Sequence, residues 1–220
     1  MWHEFYQDAE RSGGERVLDT PVRPTNLATM MRAKHPADPG AGLEVVACRW
    51  WLVPYFHRGP VTDWRAMSTT VAIETIDSAP PFREAYAHRR ALIPVTSFVG
   101  FDEPPGWKKG QPKRRWEVTW APQDEGDVVR YLAAIWDRAS PSDMTDPLDS
   151  FAIVTGSAGA DISGIGSTQP VVMSLEQGLG WLDLGGPGKA GLDTQTPAGT
   201  YSLTEKPREA LMSRDLRRAI

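Results

Sequence analysis

Short apolar runs, separated by turns rich in proline and glycine, make up most of the hydrophobic pattern of this chain. The run LEVVACRWWLVPYF at 43–56 is typical of a strand or a pair of strands, and TVAIET at 70–75 predicts another short strand. Apolar and polar residues alternate in RWEVTW at 115–120, which predicts one face of two tryptophans and a valine and a second, polar face. Further strands are predicted at 91–98, 128–136, 150–156 and 170–174.

Helical segments are few and short in the same pattern. DSAPPFREAYAHRR at 77–90 predicts a helix that Asp77 or Ser78 caps and that ends on basic residues. A second helix, with a serine cap, is predicted at 175–182, and a charged helix is predicted in the tail at 204–219. The whole pattern predicts an α+β fold, a β-rich domain of many short, mostly antiparallel strands with a few short helices.

Composition limits the classes of function. The 220 residues carry a net charge of −4, so a nucleic-acid role requires a local basic patch. The single Cys48 excludes an internal disulfide, and the spacing of the four histidines predicts no metal site; no cofactor is expected. No apolar run is long enough to span a bilayer and the first residues, MWHEFYQDAERSGG, show no basic-then-apolar signal pattern, so we expect a cytoplasmic protein with no membrane partner.

One basic segment lies between two tryptophans. EPPGWKKGQPKR at 103–114 predicts the turn-rich connection of a hairpin, and it overlaps WKKGQPKRRW at 107–116. Cations interleaved with aromatic rings suit single-stranded nucleic acid, through phosphate contacts and base stacking. A solvated hairpin tip is the commoner outcome for such a segment. The candidate DNA-binding residues here are Lys108, Lys109, Lys113, Arg114 and Arg115.

A second candidate surface is aromatic. CRWWLVPYF at 48–56 places Trp50 and Trp51 on opposite faces of a strand, so one belongs to the core and the other is a possible stacking platform. Burial of both is an equally open interpretation. Cys48 is predicted to be a small buried residue, and Asp161 a turn-capping one. The candidate DNA-binding residues are Arg49, Trp50, Trp51 and Phe56, with Arg83 and Arg89 from the predicted helix.

Several segments together resemble the SRAP family, the SOS response-associated peptidases that process abasic sites in DNA. The segment FREAYAHRRALIP resembles the family's Phe-Arg-Asp-Ala-Phe and Arg-Arg-Cys-Leu-Ile-Pro elements, and RWWLVP resembles its Arg-Trp-Gly-Leu-Ile-Pro strand. TVAIET, SFVGF and IGSTQP fall on its Asn-Ala-Arg-Ala-Glu-Thr, Gly-Phe-Tyr-Glu-Trp and Ile-His-Asp-Arg-Met-Pro elements. The resemblance is strongest over 1–185 and implies a single SRAP-like domain over 1–220, with 186–220 as a C-terminal extension.

The resemblance also implies where the family's chemistry is located. In the family, an N-terminal cysteine joins the aldehyde of an abasic site in single-stranded DNA, and an Asn, a Glu and a His position the sugar and move protons. The corresponding positions here hold Trp2, Thr70, Gly100 and Gly166. Indole has no atom comparable to a thiolate, and glycine has no group that holds a proton. No catalytic residue is therefore expected to be intact, and the resemblance implies a pseudoenzyme.

Three functions remain open from the sequence. The first is binding of single-stranded or abasic DNA without covalent capture, in the SOS response to DNA damage. The second is an active abasic-site crosslinking enzyme or peptidase that uses another nucleophile, such as the α-amine of Met1. The third is a protein-interaction module in a phage-related context, which only the predicted charged tail helix motivates.

Overall fold

A computed structural model describes residues 4–10, 16–35, 42–66, 68–121, 129–192, 194 and 196–206. Strands dominate this part of the chain, and only two α-helices occur in it. The strands are β1 Glu4–Glu10, β2 Arg16–Val22, β3 Leu27–Ala33, β4 Leu43–Trp50, β5 Thr70–Ala72, β6 Arg90–Val95, β7 Ser97–Asp102, β8 Arg114–Trp120, β9 Arg130–Ala139, β10 Leu148–Ser157, β11 Thr168–Pro170, β12 Val172–Met173 and β13 Tyr201–Lys206. The helices are α1 Arg83–His88 and α2 Leu175–Leu182.

The first sheet has five antiparallel strands in the order β13-β8-β7-β1-β2. Its β7 and β8 form a hairpin, which confirms the connection predicted at 103–114. Phe98 lies opposite Val118, Gly100 opposite Trp116, and Asp102 opposite Arg114. Because side chains alternate along a strand, these three cross-strand pairs share one face of the sheet.

The second sheet has eight strands and follows the path β11-β10-β4-β3-β6-β9-β12, with β5 also paired to β10. Because β10 pairs with β9 as well as β4, the path from β10 through β4, β3, β6 and β9 closes on itself. Most pairings in the described part of the chain are antiparallel, as predicted. The exceptions are β4 and β5, which both run parallel to β10.

Two apolar clusters hold these layers together. One contains Trp50 and Phe151 from the second sheet together with Phe98 and Val118 from the first, so it joins the two sheets. The other cluster covers the opposite face of the second sheet with residues from both helices, among them Trp181 of α2. Full burial of one such side chain contributes about 1.5–3 kcal/mol to folding, so both faces of the second sheet are strongly specified.

The two predicted helices form, but only one begins where expected. Ser174 caps α2: its Oγ accepts from the Gln177 N–H at 3.3 Å, and the Gln177 side chain accepts from the Ser174 N–H at 2.9 Å. The predicted caps Asp77 and Ser78 are wrong, because 77–82 forms turns and α1 begins at Arg83. Two consecutive prolines at 80–81 explain the delay, since the residue before a proline avoids helical dihedrals.

The charged tail does not begin with a helix. Residues 201–206 form β13, which pairs with β8 along its whole length, from Tyr201 opposite Trp120 to Lys206 opposite Arg115. The helix prediction is therefore wrong for 204–206, where the open edge of β8 supplies a ladder of backbone hydrogen bonds. The remainder of the predicted helix lies outside the described residues. No helix in the described ranges is long and apolar enough to cross a membrane.

One loop leaves the second sheet and returns to nearly the same point. The chain departs after Trp50, which lies opposite Phe151 of β10, and re-enters at Thr70, which lies opposite Ile153. The base of this loop, 51–69, is closed by the Leu52 N–H, which donates to the Ser68 carbonyl at 3.0 Å. Both ends of the loop are thus fixed to one edge of β10.

Candidate functional site

Residues of the loop at 51–69, together with Arg49 of β4, line an apolar groove. The groove has a volume of about 430 Å³, which lies within the range of small-molecule pockets. We call it the indole groove, because two tryptophans form part of its wall. Its lining includes Arg49, Trp51, Val53, Val61, Trp64 and Arg65.

The two indoles are held in place through their polar edges. Nε1 of Trp51 donates to the carbonyl of Ala66 at 2.7 Å, and Nε1 of Trp64 donates to Oγ of Ser68 at 3.0 Å. Since both N–H groups are satisfied by the loop itself, the indoles present mainly apolar ring surface to the groove. That surface suits a flat, apolar ligand group.

Two arginines add positive charge to these apolar walls. The Nε of Arg49 is shielded from solvent, and it donates to no acceptor among the described residues. Arg65 is exposed, and the part of the lining that the structure describes contains no carboxylate. Buried donors are nearly always paired in folded proteins, so the Arg49 guanidinium is available to an anionic or hydrogen-bond-accepting ligand.

An exposed aromatic rim continues from the groove. Phe56 is 46% exposed and makes edge contacts with Trp64 and Tyr55, at ring-centre distances of 6.2 and 5.6 Å. The Tyr55 N–H donates to Oδ2 of Asp137 at 2.9 Å, and Nε of Arg89 lies 3.1 Å from Oδ1 of the same carboxylate. Burial raises the pKa of Asp137, while the contacts with Tyr55 and Arg89 oppose that change.

Comparison with known proteins identifies the family. A profile of the SRAP family, described as SOS response associated peptidase, matches residues 4–206. The chain belongs to the SRAP family. The match extends past 185 and ends with β13, at 201–206, which pairs with β8 in the first sheet. Membership associates this SRAP chain with DNA-related functions of the SOS response.

Solved structures share the fold at low identity. A protein from Bacteroides thetaiotaomicron superposes with a TM-score of 0.68 at 17% identity, over 90% of this chain and 79% of that one. A Bordetella bronchiseptica protein gives 0.70 at 17% identity, over 94% and 100% of the two chains. A phage-related protein from the same bacterium superposes with a TM-score of 0.60 at 17% identity, over 94% of this chain and 95% of that one. No curated protein sequence matches the chain.

The positions that the resemblance aligns with the family's catalytic residues hold a threonine and two glycines in the described part of the chain. Thr70 is half-buried at the first residue of β5, next to the base of the groove loop. Gly100 is buried on β7, opposite Trp116. Gly166 lies in the loop after β10, where an added Cβ would meet only the Thr168 carbonyl, at 3.6 Å. Trp2 lies outside the described residues.

Asp102 is the carboxylate two residues beyond Gly100 on the same face of β7. It accepts hydrogen bonds from Nε of Arg114 at 3.0 Å and from Nε1 of Trp116 at 2.8 Å, and Nη2 of Arg114 completes a two-pronged contact. Burial alone would raise the pKa of Asp102, but the hydrogen bonds from Arg114 and Trp116 lower it below the usual value. A saturated carboxylate of this kind is a fixed anion at neutral pH and a poor replacement for a catalytic acid.

The basic hairpin is largely neutralised by its own neighbours. Lys113 pairs with Glu103 at 2.8 Å, and Arg114 pairs with Asp102. Arg115 is 8% exposed, so the structure places it beneath the surface and not on a binding face. Lys108 and Lys109 are exposed at the hairpin tip. The hairpin belongs to the first sheet, whereas the indole groove belongs to the second.

The adjacent residues Trp50 and Trp51 lie in different environments, as the alternation of side chains along a strand predicted. Trp50 has no exposed surface; its Nε1 donates to the Thr69 carbonyl at 2.8 Å and its ring stacks against Phe151 at 6.5 Å. As a DNA-binding candidate, Trp50 is corrected to a core residue, because strand alternation turns it inward. Trp51, its neighbour, lines the indole groove.

The other sequence candidates are scattered. Arg83 is exposed at the first residue of α1, and Arg89 follows that helix and is committed to Asp137. Cys48 is fully buried, and burial raises the pKa of its thiol to about 12, so it is not a nucleophile at neutral pH. Asp161 accepts from the Gly199 and Tyr201 N–H groups at 3.0 Å each, so its carboxylate caps the distant turn before β13 and not a turn of its own loop.

The structure therefore brings together Arg49, Trp51 and Phe56 and separates them from the hairpin cations. Sequence reasoning missed Trp64 and Arg65, which complete the groove. The sequence contained a signal for them, because TDWRAM places a tryptophan next to an arginine, as the predicted strand does in the opposite order. Only the return of the loop to β10 shows that the two pairs face one ligand-sized space.

Proposed function

We propose that this SRAP chain binds single-stranded DNA, intact or abasic, without forming a covalent bond to it. The observation that carries the proposal is the indole groove, in which aromatic walls stand beside an arginine with an unpaired, shielded Nε. Single-stranded nucleic acids are bound by this combination of ring surface for the bases and cations for the phosphates. Family membership supports the choice of DNA over other aromatic anions.

The position of the groove supports the same proposal. Trp51 leaves the sheet one residue after the position opposite Phe151, and Thr70, which the resemblance aligns with the family's Asn, returns opposite Ile153 on the same strand. A strand held in the groove would thus pass the place where the family's chemistry is expected. Gly100 offers no acid there, and Thr70 has neither a thiol nor an amine, which supports retention of the DNA without reaction.

The experiment is a gel-shift assay with one single-stranded oligonucleotide in two forms, intact and with a single abasic site. Each mixture is run at low salt, where phosphate contacts are strongest, on native and on denaturing gels. The proposal expects a shift on the native gel that is lost on the denaturing gel. A shift that survives denaturation would show covalent capture by an unrecognised nucleophile, and absence of any native shift would reject DNA binding.

A further inference from the structure

We infer that the indole groove captures an intact nucleobase, so that the chain binds ordinary single-stranded DNA at least as tightly as abasic DNA. This inference rests on the proposed function and adds the identity of the group that enters the groove. Four side chains carry it: the two indoles that form the walls and the two arginines beside them.

The walls of the groove favour a base over a bare sugar. The polar edges of Trp51 and Trp64 are already occupied by the Ala66 carbonyl and the Ser68 hydroxyl. Apart from Thr62 and the two arginines, the lining is ring and aliphatic carbon. A nucleobase buries a flat aromatic face against such a surface, whereas a deoxyribose without its base has no flat apolar face to bury.

The two arginines suit the polar edge and the phosphate of a nucleotide. Bases carry ring nitrogen and carbonyl acceptors at their edges, and a guanidinium is the side chain that most often pairs with them. Arg49 lines the groove, and its guanidinium supplies donors for such an edge. Arg65 is exposed beside it and is suited to the phosphate that accompanies the base. One nucleotide thus satisfies both cations.

An exposed aromatic ring next to the groove can hold a neighbouring base. Phe56 is 46% exposed and its ring contacts Trp64 edge-on at 6.2 Å. A neighbouring base has an aromatic platform there, as expected for a site that follows several stacked bases. An abasic position interrupts such stacking and would weaken binding to the rim and the groove together.

The test compares three oligonucleotides of one length at one salt concentration: an intact strand, a strand with one tetrahydrofuran abasic analogue, and a strand made only of that analogue. All three keep the same phosphates. Fluorescence anisotropy should give an affinity for the fully abasic strand about 5- to 150-fold below that of the intact strand. The single-site strand should bind no more tightly than the intact one.

Two substitutions locate the effect. Trp51→Ala should reduce the difference in affinity between the intact and the fully abasic strand, and Trp51→Phe should keep most of that difference. Trp107→Ala is the matched control, because that indole lies in the hairpin of the first sheet and donates to Gln111. The inference would be overturned if Trp107→Ala bound the intact and fully abasic strands equally while Trp51→Ala kept the full difference in affinity. That result would place base recognition on the hairpin.

The outcomes separate this inference from the proposed function. Equal or tighter binding of the abasic strands by the unmodified protein would reject base capture while leaving DNA binding intact. No binding of any strand at low salt would reject both. Because the comparison of strands uses the unmodified protein, the inference is decided even if a tryptophan variant fails to fold.

Discussion

The buried carboxylate of Asp137 accepts a hydrogen bond from the Tyr55 N–H at 2.9 Å and thereby ties the aromatic rim to β9. The same carboxylate contacts Nε of Arg89 at 3.1 Å and is only 1% exposed as a residue. One acidic side chain therefore fixes a strand, the segment after α1 and the surface proposed to hold DNA. The rim depends on a group that the DNA itself would not touch.

Replacing Asp137 should therefore affect both stability and binding. Asp137→Ala removes the acceptor of the Tyr55 N–H and leaves Arg89 without its partner, which should lower the free energy of unfolding by about 1–3 kcal/mol. Asp137→Asn keeps one acceptor oxygen and should have a smaller effect. Urea denaturation and DNA affinity measure the two consequences. Unchanged stability in Asp137→Ala would contradict this role.

Asp149 should stabilise the fold only above acidic pH. Burial would raise the pKa of Asp149, but Arg138 at 2.6 Å and Arg32 at 3.1 Å lower it below its usual 3.8. A depressed pKa in the folded state adds stability that is present above the unfolded value and is lost as pH falls through the folded one. Asp149→Asn should therefore be less stable than the parent at pH 7. The difference in free energy of unfolding between the parent and Asp149→Asn should narrow below about pH 4.

Asp137 has the opposite sign of pH dependence. Burial raises its pKa, so its contribution is fully present below 3.8 and falls as pH rises through the folded value. The free energy of unfolding of Asp137→Asn, taken relative to that of the parent, should therefore be higher at pH 7 than at pH 3. Chemical denaturation of Asp137→Asn and Asp149→Asn across pH 3–7 should give difference curves of opposite slope. Difference curves of the same slope would contradict the opposite directions of the pKa shifts of Asp137 and Asp149.

Restoring single family residues should not restore chemistry. Gly100 is buried opposite Trp116, so Gly100→Glu places a charge and extra volume in packed surroundings and should destabilise the fold by about 1–3 kcal/mol. Gly166→His has open space around its Cβ and should change stability by less than about 0.5 kcal/mol. Thermal unfolding separates the two. A covalent DNA adduct in either variant, on a denaturing gel, would contradict the account.

The two adjacent tryptophans should respond very differently to truncation. Trp50→Ala removes a fully buried ring and should cost about 3–5 kcal/mol of stability. Trp51→Ala removes a half-buried ring and one hydrogen bond, and should cost about 1 kcal/mol while weakening DNA binding. Urea unfolding of both variants checks the contrast. Equal losses of stability would show that Trp51 is also a core residue.

Local patterns in the sequence predicted the elements that local forces decide. Ser174 followed by Gln177 forms the capping box of α2, and alternation turned Trp50 inward and Trp51 outward. Tertiary pairing decided the cases that failed. Residues 204–206 are charged like a helix end, yet the open edge of β8 holds them as a strand.

The site was harder to predict because its parts are distant in sequence. Arg49 and Trp51 were recognised from an aromatic run, but Trp64 and Arg65 join them only because the loop returns to β10. Likewise, the sequence alone left the basic hairpin open as a DNA surface, and only the structure shows that Lys113 and Arg114 are paired with acids on the facing strand and loop. Charge partners across a hairpin are set by register, which composition does not reveal.

The indole groove is the proposed binding site for single-stranded DNA. The most direct measurement compares the DNA affinity of Arg49→Ala with that of Lys34→Ala, which removes an equal charge. Lys34 is exposed just past the end of β3, about 20 Å along the strand from Leu27, the residue opposite Arg49. The account predicts a loss of about tenfold or more for Arg49→Ala and little change for Lys34→Ala. Equal affinities of the two variants, or no binding by the parent at low salt, would contradict it.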